Sequence, residues 1–200
     1  MQGGAGSCRI YSAFGASWAA ASTLSCSMIS YISRATSLVR GSTSERTFTL
    51  MALAAVERHE VTPALEDVVE ATIYLSGLGF ENGGLAAAHA VNDGFAQEPQ
   101  AHGMYHGEKV AFGTLVQLVL EKAPQEELEQ VLAFLRDTGL PLTLAQLGVK
   151  EIVPETLKKV AEAAVVPTQS TKNLRADITA QEVYDAILEA DRIGRDYLAR

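Results

Sequence analysis

Two hundred residues accommodate one ordinary domain or two very small ones. A net charge of −8 does not favour a phosphate-binding role, and two cysteines are too few for a disulfide framework or a four-thiolate zinc module. No uninterrupted apolar run reaches about 18 residues, so neither a membrane span nor a nucleic-acid partner is expected, and a soluble globular protein is.

The composition changes at residue 50. Residues 1–50 hold eleven serines, both cysteines (Cys8, Cys26), the only tryptophan (Trp18), and Arg9, Arg34, Arg40 and Arg46 against the single acid Glu45, a charge of +3. Residues 51–200 hold two serines, Ser76 and Ser170, and carry −11. The first segment shows neither a helical nor a strand period, and its small side chains bury too little area to offset the entropy of ordering them. It reads as a disordered tail or one short helix around residues 17–33. Two other readings are a Ser-rich, Arg-containing targeting peptide and a stretch translated in a wrong frame. Gly3-Gly4-Ala5-Gly6 is not a phosphate loop, because no strand precedes it and no Lys-Ser/Thr follows.

From residue 51 the pattern is helical. Pro63 opens a helix over residues 64–74 whose inner face is Leu65, Val68, Val69, Thr72 and Ile73. Gly77, Gly79 and Gly83-Gly84 predict loops and turns. Leu85 to Val91, a run of small apolar residues, can open a tightly packed helix, and Val110 to Leu120 is apolar nearly all round, the mark of a buried helix. Three amphipathic helices follow. One begins at Pro124 with Leu128, Val131, Leu132 and Leu135 inside, and ends at Gly139-Leu140-Pro141. The next runs from Pro154 to Ala164. The last is opened by the capping box Thr179-x-x-Glu182, with Val183, Ala186, Ile187, Ala190 and Ile193 inside. A polar loop spans residues 166–178. No stretch beyond residue 50 reads as a strand, so the fold class is all-α, a bundle of five to seven helices.

Four histidines are the candidates for chemistry. His59 sits in a polar stretch and reads as surface. His89 is flanked by small apolar residues; a buried imidazole needs partners for both nitrogens, and either a backbone carbonyl or a metal with a second-shell acceptor would serve. His102 and His106 are four apart, but Gly103 and the absence of Glu after His102 argue against a zinc-protease helix. Residues 97–105 read instead as a loop ending at His106, with Gly107-Glu108-Lys109 beginning the buried helix. His89 and His106, on opposite sides of that loop, can converge on one ion.

Leu75-Ser76-Gly77-Leu78-Gly79-Phe80-Glu81-Asn82-Gly83-Gly84-Leu85-Ala86-Ala87-Ala88-His89-Ala90 and His106-Gly107-Glu108-Lys109-Val110-Ala111-Phe112-Gly113-Thr114-Leu115 together resemble glycerol dehydrogenases. These belong to the metal-dependent, iron-containing alcohol dehydrogenase superfamily, and the likeness runs from about residue 51 to the end of the chain. It implies the helical C-terminal domain of a dehydroquinate synthase-like enzyme, preceded by a poorly structured segment over residues 1–50. It further implies zinc or another divalent metal held by His89 and His106, Phe80 beside a small polyol substrate, and NAD as cofactor of the complete enzyme. A cytoplasmic location and a homo-oligomer of the complete enzyme are implied as well.

Two departures qualify this. Residues 1–50 contain no Asp to match the family's third ligand, and the family's His-Asn-Gly after the first His ligand reads Asn92-Asp93-Gly94 here. Catalytic zinc normally takes three protein ligands. The expectation is therefore a metal-binding half-enzyme, inactive alone. The alternatives are a non-catalytic helical module and one subunit of a two-chain dehydrogenase.

Overall fold

A computed structural model describes residues 42–200; the readings made for residues 1–41 lie outside them. The described residues form seven α-helices and no strand: α1 (Ser42–Glu57), α2 (Pro63–Gly83), α3 (Ala87–Gly94), α4 (His106–Glu121), α5 (Gln125–Asp137), α6 (Pro154–Ala164) and α7 (Ala180–Leu198). Single 3₁₀ turns occupy Phe95–Gln97, Pro99–Ala101 and Ser170–Asn173. The compositional break at residue 50 falls inside α1.

The helix starts follow local chemistry. Thr62 caps α2, its hydroxyl accepting from Leu65 N at 3.3 Å, with Pro63 in the first turn. Thr179 and Glu182 form the reciprocal capping box of α7: Glu182 N donates to Thr179 Oγ1 at 3.2 Å, and Thr179 N to Glu182 Oε2 at 2.8 Å. α4 begins at His106, where Glu108 reaches back to accept from Tyr105 N at 2.8 Å.

Two sequence expectations are corrected in α2. The helix continues through Gly77 and Gly79, where loops were expected, and stops only at Gly83, with Gly84 at φ 64° as its cap. A helical glycine costs about 1 kcal/mol relative to alanine, too little to break a long helix. Its inner face also differs. Ala64 and Thr72 are buried and Leu65 and Val68 half-buried, whereas Val69 and Ile73 are exposed. α2 packs chiefly on α1, so one narrow stripe is covered rather than the whole apolar arc.

The main core lies among α3 to α7. α3 packs against α4 and α6, α4 against α7, and α6 against α7. Phe95, Phe112, Leu115, Leu135, Leu157 and Ile187 are buried at its centre. α3 is covered on nearly every side, which its Ala-rich sequence makes possible because small side chains let backbones approach. A β-carbon at Gly94 would come under 3.0 Å from the Val160 carbonyl oxygen of α6, and one at Gly113 of α4 under 3.0 Å from the carbonyl oxygen of Ala88. The helix is held from two directions at van der Waals limits.

Candidate metal centre

His89 lies in the first turn of α3 and is 8% exposed. His106 is the first residue of α4 and half-buried. The fold brings the two rings together, with centroids 5.6 Å apart and planes inclined at 49°. Close packing of α3 on α4 does this: the contact at Ala88 and Gly113 brings the helices together one residue before His89.

The register of α3 is set from outside the helix. Ala86, at its N-terminus, offers no side-chain cap. Instead Ala88 N donates to Gln117 Oε1 of α4 at 3.1 Å, Ser170 Oγ donates to the Ala86 carbonyl at 2.8 Å, and Asn173 Nδ2 donates to the Leu85 carbonyl at 2.9 Å. Thr171, between those two residues, is buried and bonds its hydroxyl to the Ala164 carbonyl at the end of α6. Gln117 thus does the work of a missing cap while lying on the same helix as His106. The polar loop expected over residues 166–178 contains this brace, which composition alone did not reveal.

Burial keeps both imidazoles neutral. The His89 pKa is lowered to about 4, first by desolvation, then by the neighbouring His106, with the Asp93 carboxylate opposing. Desolvation also lowers that of His106; Asp93 again opposes, and Lys109 adds to the lowering. Neutral imidazole is the form that ligates metals.

A pH effect on the metal-free chain follows. His89 binds its proton more weakly folded than unfolded, where its pKa is about 6.5. Its contribution to stability is therefore complete above about pH 6.5 and is lost as the pH falls toward 4. Urea midpoints of the chelator-treated protein should fall between pH 7 and pH 5, and fall less in His89→Gln. Equal slopes for the two proteins would count against a buried neutral His89.

The other candidates are placed apart. His102 is exposed, with its Nε2 3.0 Å from the Ala96 carbonyl oxygen, and does not pair with His106 in a helix; His59 is exposed at the end of the α1 turn. Phe80 lies near the end of α2 and is 56% exposed. Sequence reasoning passed over Asp93. It stands four residues after His89, on the same helical face, and its carboxylate acts electrostatically on both imidazoles. The buried Asn92 beside it donates from Nδ2 to Asp93 Oδ1 at 3.0 Å, while its own Oδ1 has no hydrogen-bond partner.

Two neutral imidazole nitrogens suit zinc and similar borderline cations. Among the described residues no three His, Cys, Asp or Glu side chains are already gathered to hold a metal ion. The pair therefore fits two of the three protein positions that a catalytic site normally fills. Among the same residues, no helix is long and apolar enough to cross a membrane.

No protein-family model matches the chain. Relatives do. A glycerol dehydrogenase of Escherichia coli O6:H1 is 56% identical over 147 residues, covering 74% of this chain and 40% of the relative. One from Citrobacter freundii is 43% identical over 183 residues, covering 85% of this chain and 50% of the relative. The crystal structure of a probable glycerol dehydrogenase from Sinorhizobium meliloti 1021 superposes with a TM-score of 0.76 at 36% identity, covering 89% of this chain and 56% of that one. That of glycerol dehydrogenase from Schizosaccharomyces pombe superposes with a TM-score of 0.73 at 40% identity, covering 76% and 39%. The chain thus spans about half the length of these relatives or less.

Proposed function

We propose, from this homology to glycerol dehydrogenases, that the chain is the metal- and polyol-binding half of an NAD-linked polyol dehydrogenase of the cytoplasm. The observation that carries the reading is the His89–His106 pair, one imidazole buried and one half-buried, 5.6 Å apart on the motifs shared with that family. A bound zinc would supply Lewis acidity toward a substrate hydroxyl, and NAD would supply the hydride acceptor.

The chain's own residues do the rest. His89 and His106 would hold the metal through neutral nitrogens, and burial keeps protons from competing for them. Gln117, Ser170 and Asn173 fix the helix that carries His89, so the ligand is oriented before any ion arrives. Phe80 offers an exposed aromatic face for the carbon skeleton of a small polyol, and the complete enzyme associates with further copies of itself.

The chain alone should not turn over. With added zinc, glycerol-dependent NADH formation should remain at background. Glycerol should nevertheless perturb the visible spectrum of the cobalt-loaded chain, and His89→Ala or His106→Ala should each abolish cobalt binding. Turnover by the isolated chain would refute the half-enzyme reading, and metal retention by both variants would refute the site.

A further inference from the structure

We propose that the outer face of α2 is a docking surface for the chain's own N-terminal segment, residues 17–40, which carries the apolar and basic side chains that complement it. The main core lies among α3 to α7, and α2 packs chiefly on α1. Its covered stripe holds Ala64 and Thr72. Val69, Ile73 and Tyr74 lie off that stripe and are 40%, 66% and 65% exposed, and Val61, just before the helix, is 77% exposed. Val69 and Ile73 are one helical turn apart and so form a continuous ridge, which Tyr74 widens. Single exposed apolar residues are ordinary on a protein surface, but a cluster on one helix face marks a contact site.

Charge selects the occupant. α2 carries Glu66, Asp67, Glu70 and Glu81, all exposed, and no Lys, Arg or His. A second copy of the helix would bring four more carboxylates to the same face, where like charges repel. Residues 1–41 carry Arg9, Arg34 and Arg40 and no acid. Trp18, Leu24, Met28, Ile29 and Ile32 supply apolar side chains just before Arg34. Alone, this Ser-rich segment buries too little area to offset its ordering, and an apolar face already in place supplies what is missing. The tether is long enough. Trp18 precedes Ser42, the first residue of α1, by 24 positions and can lie up to about 80 Å from it, whereas α2 is about 30 Å long. It also holds the segment near the face at an effective concentration of about 1 mM, so weak contacts suffice.

Trp18 is the only tryptophan, so fluorescence of the intact 200-residue chain reads the docking directly. Wild-type emission should lie to the blue of the urea-unfolded chain and should not change on dilution. Ile73→Asp, at a site open enough to leave the helix intact, should shift it to the red, and so should the double variant Arg34→Glu/Arg40→Glu. Acrylamide quenching should rise about twofold in both, as for a group released from a covered to an open state. Cobalt binding by Ile73→Asp should match that of wild type, so the docking and the metal site are read separately. Trp18 emission unmoved by either variant would overturn the proposal. A blue shift lost on dilution would overturn it too, and would assign the face to contact between copies.

Discussion

Phe112→Ala should lower the unfolding free energy by about 3–5 kcal/mol, the cost of truncating a large buried aromatic. Phe112 is fully buried on α4 and meets Phe95 edge to face, with ring centroids 6.1 Å apart. Around it α3, α6 and α7 converge through the main core, so no single element can move in to fill the space. A domain is stable by only about 5–15 kcal/mol, so the variant should unfold at markedly lower urea concentration. Its cobalt affinity, measured where it remains folded, should change little, because the space is opened in the apolar core rather than between the histidines. A loss under about 1 kcal/mol, well below the range for such truncations, would mean that the core around α4 is far looser than its burial indicates.

Gly113→Ala should do the reverse, weakening cobalt binding at least tenfold with a smaller loss of stability. The new β-carbon would sit under 3.0 Å from the Ala88 carbonyl oxygen, and a backbone atom cannot step aside as a side chain can. Overpacking of this kind costs about 1–3 kcal/mol, partly offset by alanine's helix preference of about 1 kcal/mol over glycine. The strain is relieved by sliding or lifting α3 from α4, and that displacement is added directly to the separation of His89 and His106. Ligand sets tolerate about 0.5 Å of misplacement. Isothermal titration and urea unfolding on the same samples would separate the two effects. Unchanged affinity would show that the helix contact does not set the spacing of the rings.

Much of the fold was legible because α5, α6 and α7 keep their whole reading within themselves. Leu128, Val131, Leu132 and Leu135, then Leu157, Val160, Ala161 and Ala164, recur at helical spacing and are buried as expected. The capping box at Thr179 needs only four consecutive residues to be recognised. α2 was less legible. Its glycines resemble stop signals, and which side of its broad apolar arc is covered depends on a partner helix. The site divides in the same way. His89 and His106 could be named from motifs, but the residues that place them cannot. Gln117 is 29 residues from Ala88, and Asn173 is 88 from Leu85, so no local pattern links them. Asp93 was within reach, since its spacing of four from His89 is local. It falls where the sequence departs from the family motif, and a motif does not show what the helical period brings to one face.

The brace on α3 has a consequence for how the protein comes into being. An eight-residue helix is below the roughly 12–15 residues that persist alone in water, and α3 has no cap of its own. During synthesis, a nascent chain that has emerged only through α4 contains both histidines but lacks Ser170 and Asn173. In the proposed site, the two ligand nitrogens are thus present early and positioned late. If the pair ligates metal as proposed, premature capture by the growing polypeptide would be disfavoured, and a shortened product ending before residue 170 would carry the motif without the brace that positions it.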